Sequence, residues 1–177
     1  GGAGDDTMTL NVAASTDSQI SGNAGADSLT LVAAGAVNTG MTVSAGEGND
    51  TINWTDTGGD IAQAFIFTGN GGNDDFTFDN DDSPLSVLTV NGGAGDDTTT
   101  FTGAGDFANS FYILSTGDDT VDGDAGNITM TIDDDTFVEN GDAIDLGLTT
   151  KQVFGSTNSI TLGGDRRIIE TSNITDD

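Results

Sequence analysis

Cysteine and histidine are both absent from this 177-residue chain, and basic residues number only three. Without cysteine there can be no disulfide framework, and without either residue the usual zinc, haem and histidine-dependent catalytic sites are excluded. Proline occurs once, and no apolar run approaches the roughly 18 residues that a membrane-spanning helix requires. These absences leave aspartate, glycine and small polar residues to determine both the fold and its chemistry.

Negative charge is the most extreme feature that remains. The chain carries 30 Asp and Glu residues against three Lys and Arg residues, for a net charge of −27. Only Glu47, Glu139 and Glu170 are glutamates, so nearly all of the acids are Asp, which forms turns and binds calcium. Such a charge argues against nucleic acid and anionic membrane surfaces as partners. An acidic surface that only maintains solubility is an alternative, but the aspartates are regularly placed rather than scattered.

A nine-residue pattern, Gly-Gly-x-Gly-x-Asp-x-U-x with U apolar, recurs along the chain. Its copies begin at Gly1, Gly22, Ala45, Gly69 and Gly92, and the aspartates at the sixth position follow one another at intervals of 21–24 residues. This regular interval predicts an all-β solenoid, a parallel β-roll or β-helix of about eight coils of 21–24 residues. The aspartates that define the interval are Asp6, Asp27, Asp50, Asp74, Asp97, Asp119, Asp142 and Asp165.

Each part of the nonapeptide has a physical meaning. Because glycine tolerates positive φ, the first six residues are predicted to form a tight loop whose carbonyls point inward. The last three residues are predicted to be extended, with U turned into the core. A ring of carbonyl and carboxylate oxygens suits a hard cation, calcium before magnesium. The candidate metal ligands occupy positions one, three and six of the repeats: Gly1, Ala3, Asp6, Gly22, Ala24, Asp27, Ala45, Glu47, Asp50, Gly69, Gly71, Asp74, Gly92, Ala94, Asp97 and Asp119.

These copies resemble the calcium-binding repeats-in-toxin (RTX) family of secreted bacterial proteins. The resemblance covers residues 1–100 well, residues 114–122 weakly, and the rest mainly through spacing. It implies a calcium-stabilised parallel β-roll with several Ca²⁺ ions between successive loops, and export from a bacterium. RTX rolls usually join two nonapeptides back to back, whereas here one nonapeptide alternates with about 14 other residues. Calcium would therefore line one edge only, and the coil has room for a third side, as in parallel β-helices.

The alternation of residues on either side of each loop predicts strands whose inward side chains stack in rows. We interpret the cluster of Phe and Trp in coils three to five as core rather than as a ligand site. Threonine flanks the inward residue on both sides and is expected to face outward. The arginine in the first row indicates that coiling stops near residue 165. The two inward rows are Met8, Leu29, Ile52, Phe76, Thr99, Val121, Ile144 and Arg167, and Leu10, Leu31, Trp54, Phe78, Phe101, Gly123, Leu146 and Ile169.

We predict one solenoid domain over residues 1–177, with RTX-like calcium-binding coils over 1–122 and degenerate coils with a cap over 123–177. All three basic residues, Lys151, Arg166 and Arg167, lie in the degenerate part. No signal peptide is visible and the chain begins inside a repeat, so we expect a portion of a longer protein.

The function that these features favour is an extracellular, cell-surface calcium-binding structural segment of a surface-layer, fibre or adhesin protein, which folds and self-assembles with calcium. An alternative is a calcium-folding accessory domain of a secreted enzyme or toxin. An ice-binding β-roll, suggested by the outward threonines, and a polysaccharide-active β-helix enzyme are minor alternatives. No catalytic constellation is visible, because paired carboxylates occur throughout and basic residues are few, so we expect a protein that is not an enzyme.

Overall fold

The structure is a computed structural model. It describes residues 1–12, 18–34, 40–58, 64–81, 87–105, 107–113, 119–123, 128–132, 143–145 and 159–162. Within these ranges no helix is long and apolar enough to cross a membrane.

The described residues form fourteen β-strands, which alternate between two parallel sheets of seven strands each. Each coil contributes one strand to each sheet, and every strand pairs with its equivalents in the coils before and after it. The odd sheet consists of β1 (Thr7–Val12), β3 (Ser28–Ala33), β5 (Thr51–Asp56), β7 (Asp75–Asn80), β9 (Thr98–Thr102), β11 (Thr120–Gly123) and β13 (Ala143–Asp145). The even sheet consists of β2 (Ser18–Ala24), β4 (Met41–Glu47), β6 (Ala64–Gly71), β8 (Val87–Ala94), β10 (Phe107–Ile113), β12 (Ile128–Ile132) and β14 (Ser159–Leu162).

The register of the odd sheet follows the nonapeptide. Met8 pairs with Leu29, Leu29 with Ile52, and Ile52 with Phe76, so each strand stacks on the residue with the same position in the next repeat. The same alignment continues through Thr99 to Val121. The prediction of an all-β parallel solenoid with inward rows of equivalent residues is therefore confirmed.

The number and size of the coils are less regular than expected. Each sheet has seven described strands, so the predicted eight coils are not confirmed. At the C-terminal end of the even sheet, Met130 pairs with Ile160, 30 residues further along. This spacing lies outside the predicted range of 21–24 residues, because the connections there differ in length from those of the nonapeptide coils. The predicted third side falls on the segments between odd and even strands, most of whose residues lie outside the described ranges.

The predicted six-residue loop is shorter in the structure. Positions one to three of the repeat continue the strands of the even sheet, as Gly22 to Ala24 do at the end of β2 and Gly69 to Gly71 at the end of β6. The chain turns only over positions four to six. The prediction was wrong on this point because glycine and asparagine at positions one and two read as turn residues, whereas their backbone groups pair between coils.

Between the two sheets lies a core of closely packed aromatic rings. Phe67 of the even sheet packs edge-on against Phe78 of the odd sheet, with ring centroids 4.9 Å apart, and Phe78 stacks on Phe101 at 5.6 Å. Trp54 lies 6.0 Å from Phe65, and all five rings are buried. Burying one such side chain contributes about 1.5–3 kcal/mol. The interpretation of the aromatic cluster as core is confirmed, and the core holds the loops of neighbouring coils against one another.

Candidate metal centre

Six aspartates stand above one another at one edge of the solenoid, immediately before the odd strands. Five of them, Asp27, Asp50, Asp74, Asp97 and Asp119, are at most 2% exposed, although carboxylates are among the groups most costly to remove from water. In the first coil, which no preceding coil covers in the structure, Asp6 is half-buried. We call this set the aspartate column, and its members are Asp6, Asp27, Asp50, Asp74, Asp97 and Asp119.

One oxygen of each carboxylate links two coils. The backbone N–H of Asp27 donates to Asp50 Oδ1 at 2.7 Å, and that of Asp50 donates to Asp74 Oδ1 at 2.8 Å. The same bond joins Asp74 to Asp97 and Asp97 to Asp119, at 2.8 and 2.9 Å. Each carboxylate therefore satisfies the buried amide of the preceding coil, which explains why the residue at this position needs an acceptor.

The second carboxylate oxygen has no such partner in four members of the column. Oδ2 of Asp27, Asp50, Asp74 and Asp97 is buried and receives no hydrogen bond within the described part of the chain. The first coil differs, because Gly2 N–H donates to Asp6 Oδ2 at 2.7 Å. A buried carboxylate oxygen without a donor is unfavourable, so the four central members of the column present a row of oxygens that still lack a partner.

Glycine at position one allows these oxygens to approach the backbone. A Cβ added to Gly22 would overlap both Asp27 Oδ2 and the carbonyl oxygen of Ala45 in the next coil. A Cβ added to Gly69 would likewise overlap Asp74 Oδ2 and the carbonyl oxygen of Gly92. In the first, second and fourth coils, one carboxylate oxygen and one carbonyl oxygen of the following coil thus face the same space, and we call these two atoms the oxygen pair of that coil.

The carbonyls at position three are placed differently from those at position one. They accept hydrogen bonds from the N–H at position four of the preceding coil: Gly25 N–H donates to Glu47 O at 2.8 Å, and Gly48 N–H to Gly71 O at 2.6 Å. Equivalent bonds reach Ala24 O and Ala94 O. Gly25 has a φ of 127°, which a side chain would strain, so glycine at position four is needed for this turn. The structure brings positions one and six together, while position three holds adjacent coils in register.

Position five also carries structural side chains, which the sequence analysis did not identify. Ala26 N–H donates to Asp5 Oδ1 at 2.8 Å, Asn73 N–H to Asn49 Oδ1 at 2.9 Å, and Asp96 N–H to Asn73 Oδ1 at 3.1 Å. These bonds run in the opposite direction to those of the aspartate column, from the following coil to the preceding one. The sequence does contain a pattern that indicates this role. We call the five copies that begin at Gly1, Gly22, Ala45, Gly69 and Gly92 the clear repeats, and position five is Asp or Asn in four of them.

Burial changes the acidity of the column. The pKa of Asp74 is raised to about 7. Desolvation is the largest cause and the charge of Asp50 adds to it, while the hydrogen bond from Asp50 N–H partly offsets the increase. Desolvation likewise raises the pKa of Asp97 to about 7, with added repulsion from neighbouring acids. The pKa of Asp50 is raised for the same reasons, burial being the largest. The column therefore favours any partner that neutralises Oδ2.

The donor set suits a hard cation better than a transition metal. The described residues contain no group of three or more His, Cys, Asp or Glu side chains that could hold a metal ion. Any ion would have to bind few carboxylates and several backbone carbonyls, which is the oxygen-rich environment that calcium accepts. The buried Oδ2 atoms and the facing carbonyl oxygens at position one fit that chemistry.

No protein-family model, curated protein or solved structure matches this chain.

The ladder at position five leads to a stability prediction. Ala26 is the one residue of this ladder among the clear repeats that has no side-chain oxygen to offer the next coil. Because Ala26 is exposed, we expect Ala26→Asn to supply an acceptor for Asn49 N–H and to raise the free energy of unfolding by about 0.5–1.5 kcal/mol. Urea unfolding followed by the fluorescence of Trp54 measures this. Ala26→Leu is the control, and equal stability of the two variants would contradict the role of the ladder.

The pKa values lead to a pH prediction for the protein in chelator. In the folded state Asp74 and Asp97 have pKa values of about 7, against an ordinary value of 3.8. Between these values the folded state binds more protons than the unfolded state, so the free energy of unfolding should fall as the pH rises and be lowest above about 7. Urea midpoints at about pH 5 and about pH 8 test this, and the Asp74→Asn/Asp97→Asn variant should reduce the difference. Greater stability at the higher pH would refute the prediction.

Proposed function

We propose that this chain is a calcium-binding structural segment of a secreted bacterial protein, with repeats of the RTX kind. It would lie outside the cell, in a surface layer, fibre or adhesin. The observation that supports this proposal is the row of buried, unpartnered Oδ2 atoms of Asp27, Asp50, Asp74 and Asp97 along one edge. Calcium prefers such oxygens, and extracellular modules bind it with dissociation constants of about 10⁻⁴–10⁻³ M.

Each residue of the repeat has a separate task in this proposal. The Oδ1 atoms of the column hold the amides of the preceding coil, while the Oδ2 atoms face the carbonyls at position one of the following coil, where the ion would bind. Glycine at position one keeps the space between them free. Bound calcium would cancel the repulsion within the column and tie adjacent coils together. In a chain without cysteine, this takes the place of disulfide bonds.

The calcium proposal is tested most sharply with Asp74→Asn. This substitution keeps Oδ1 as acceptor for Asp50 N–H but replaces the charged Oδ2 by an amide nitrogen. In chelator we expect the variant to be at least as stable as the parent, because repulsion from Asp50 and Asp97 is removed. We expect calcium to stabilise the parent strongly and the variant less, with the half-saturating calcium concentration raised about tenfold, or ~1.4 kcal/mol.

Asp75→Asn is the matched control, because it removes the same charge from the adjacent, exposed residue. Its calcium response should equal that of the parent. Circular dichroism in EGTA and then in excess calcium follows the β-structure, and Trp54 fluorescence follows the core. An identical calcium response of the parent and Asp74→Asn, or no response of the parent, would sink the proposal.

Self-association is the second part of the proposal. The chain is strongly acidic, and its only basic residues, Lys151, Arg166 and Arg167, lie outside the described residues near the C-terminal end of the sequence. When negative charge is spread over most of a chain and positive charge is concentrated in its C-terminal part, attraction favours end-to-end or end-to-side contacts between identical chains. Contacts of this kind give open assemblies. The alternative, an accessory domain that folds with calcium beside a secreted enzyme or toxin, needs no such contact.

Light scattering separates these two functions. A structural segment should associate in a few millimolar calcium, and salt should weaken the association because the contacts are electrostatic. Replacing Arg166 and Arg167 by Glu should abolish it while leaving calcium-dependent folding unchanged. A monodisperse monomer in calcium, unaffected by the double substitution, would remove the assembly function and favour the accessory domain.

A further inference from the structure

The third repeat differs from its neighbours at position one. Gly1, Gly22, Gly69 and Gly92 occupy this position in the other clear repeats, but the third repeat has Ala45. Ser44 pairs with Thr68 and Gly46 with Asn70, so Ala45 lies directly opposite Gly69 of the next coil. Its methyl group is fully buried.

The surroundings of the equivalent glycines indicate which part of the loop this methyl group lies in. A Cβ on Gly22 would overlap Asp27 Oδ2 and the carbonyl oxygen of Ala45, and a Cβ on Gly69 would overlap Asp74 Oδ2 and the carbonyl oxygen of Gly92. The equivalent space in the third coil lies between Asp50 Oδ2 and the carbonyl oxygen of Gly69. From its equivalent place in the repeat, we infer that Ala45 directs its methyl group toward this space, which carries no side chain in the coils of Gly22 and Gly69.

The methyl group of Ala45 supplies neither a hydrogen-bond donor nor a cation to Asp50 Oδ2. Asp50 Oδ2 is buried like its equivalents and receives no hydrogen bond from the described residues, and a methyl group can neither donate one nor coordinate an ion. A calcium ion needs oxygens at about 2.3–2.6 Å on several sides, and a methyl group beside the oxygen pair would take up part of the space that the ion needs.

We propose that Ala45 divides the column of cation sites, so that ions bind at the oxygen pairs before and after the third coil but not at Asp50. This inference rests on the proposed function, because it concerns the same aspartate column. It identifies the third coil as a structural interruption, where the stack is held without an ion, by strand pairing, by hydrogen bonds between the loops and by the aromatic core. The chain therefore binds fewer ions than its column has aspartates.

The test counts calcium ions bound to each chain by native mass spectrometry and by calorimetric titration. Ala45→Gly should bind one additional calcium ion compared with the parent, because glycine is the residue that the other coils already accept at this position. Adding Asp50→Asn to Ala45→Gly should remove that ion again. Ala33→Gly is the matched control, since it also deletes a fully buried methyl group. Ala33 is the last residue of β3, whereas the aspartate column lies before the first residue of each odd strand, so the ion count of this variant should equal that of the parent.

The outcomes separate this inference from the function on which it rests. If the parent binds calcium and Ala45→Gly binds the same number of ions, the division of the column is refuted while calcium binding stands. A gain in Ala33→Gly equal to that in Ala45→Gly would also refute it, because the effect would not belong to the column. If no ion binds to any variant, the proposed function fails and this inference fails with it.

Discussion

The backbone amides in each loop need acceptors, because the next coil shields them from water. In this solenoid the carboxylate of one coil supplies the acceptor for the amide of the coil before it, as Asp74 Oδ1 does for Asp50 N–H. Position five provides the reverse bond, as Asn49 Oδ1 does for Asn73 N–H. Because the two ladders run in opposite directions, a loop that takes part in both depends on both of its neighbours, and the repeat interval follows from this mutual dependence.

The same ladder creates the electrostatic problem that defines the candidate site. The carboxylates lie in one line because each accepts a hydrogen bond from the amide of the preceding coil. In this position they are buried, and the loss of hydration raises the pKa of Asp74 and Asp97 to about 7. The aromatic packing of Phe67, Phe78 and Phe101 opposes the repulsion by holding the two sheets together. A cation or a proton at Oδ2 relieves the repulsion without disturbing the bond at Oδ1. The carboxylates that stabilise the stack are therefore the same groups that would bind the proposed cation.

Much of the fold could be predicted because its two periods are visible in the residues. The interval between aspartates predicts the stacking of coils, and the alternation around Ile52 and Trp54 predicts which side chains face inward, since successive residues of a strand point to opposite faces. The extent of the loop could not be predicted in the same way. Residues such as Gly22 and Asn23 favour turns in isolation, and only pairing with the next coil makes them part of a strand.

The sequence by itself determined the parallel stacking, the inward rows and the alignment of the aspartates along one edge, because these depend only on the spacing of residue types. Tertiary structure decided how each carboxylate is used. Which oxygen accepts the amide of the preceding coil, and which is left buried without a partner, depends on contacts between residues more than 20 positions apart. The same is true of Ala45, whose methyl group is unremarkable in the sequence. Its significance follows only from the coils on either side, where glycine leaves the space that this side chain fills.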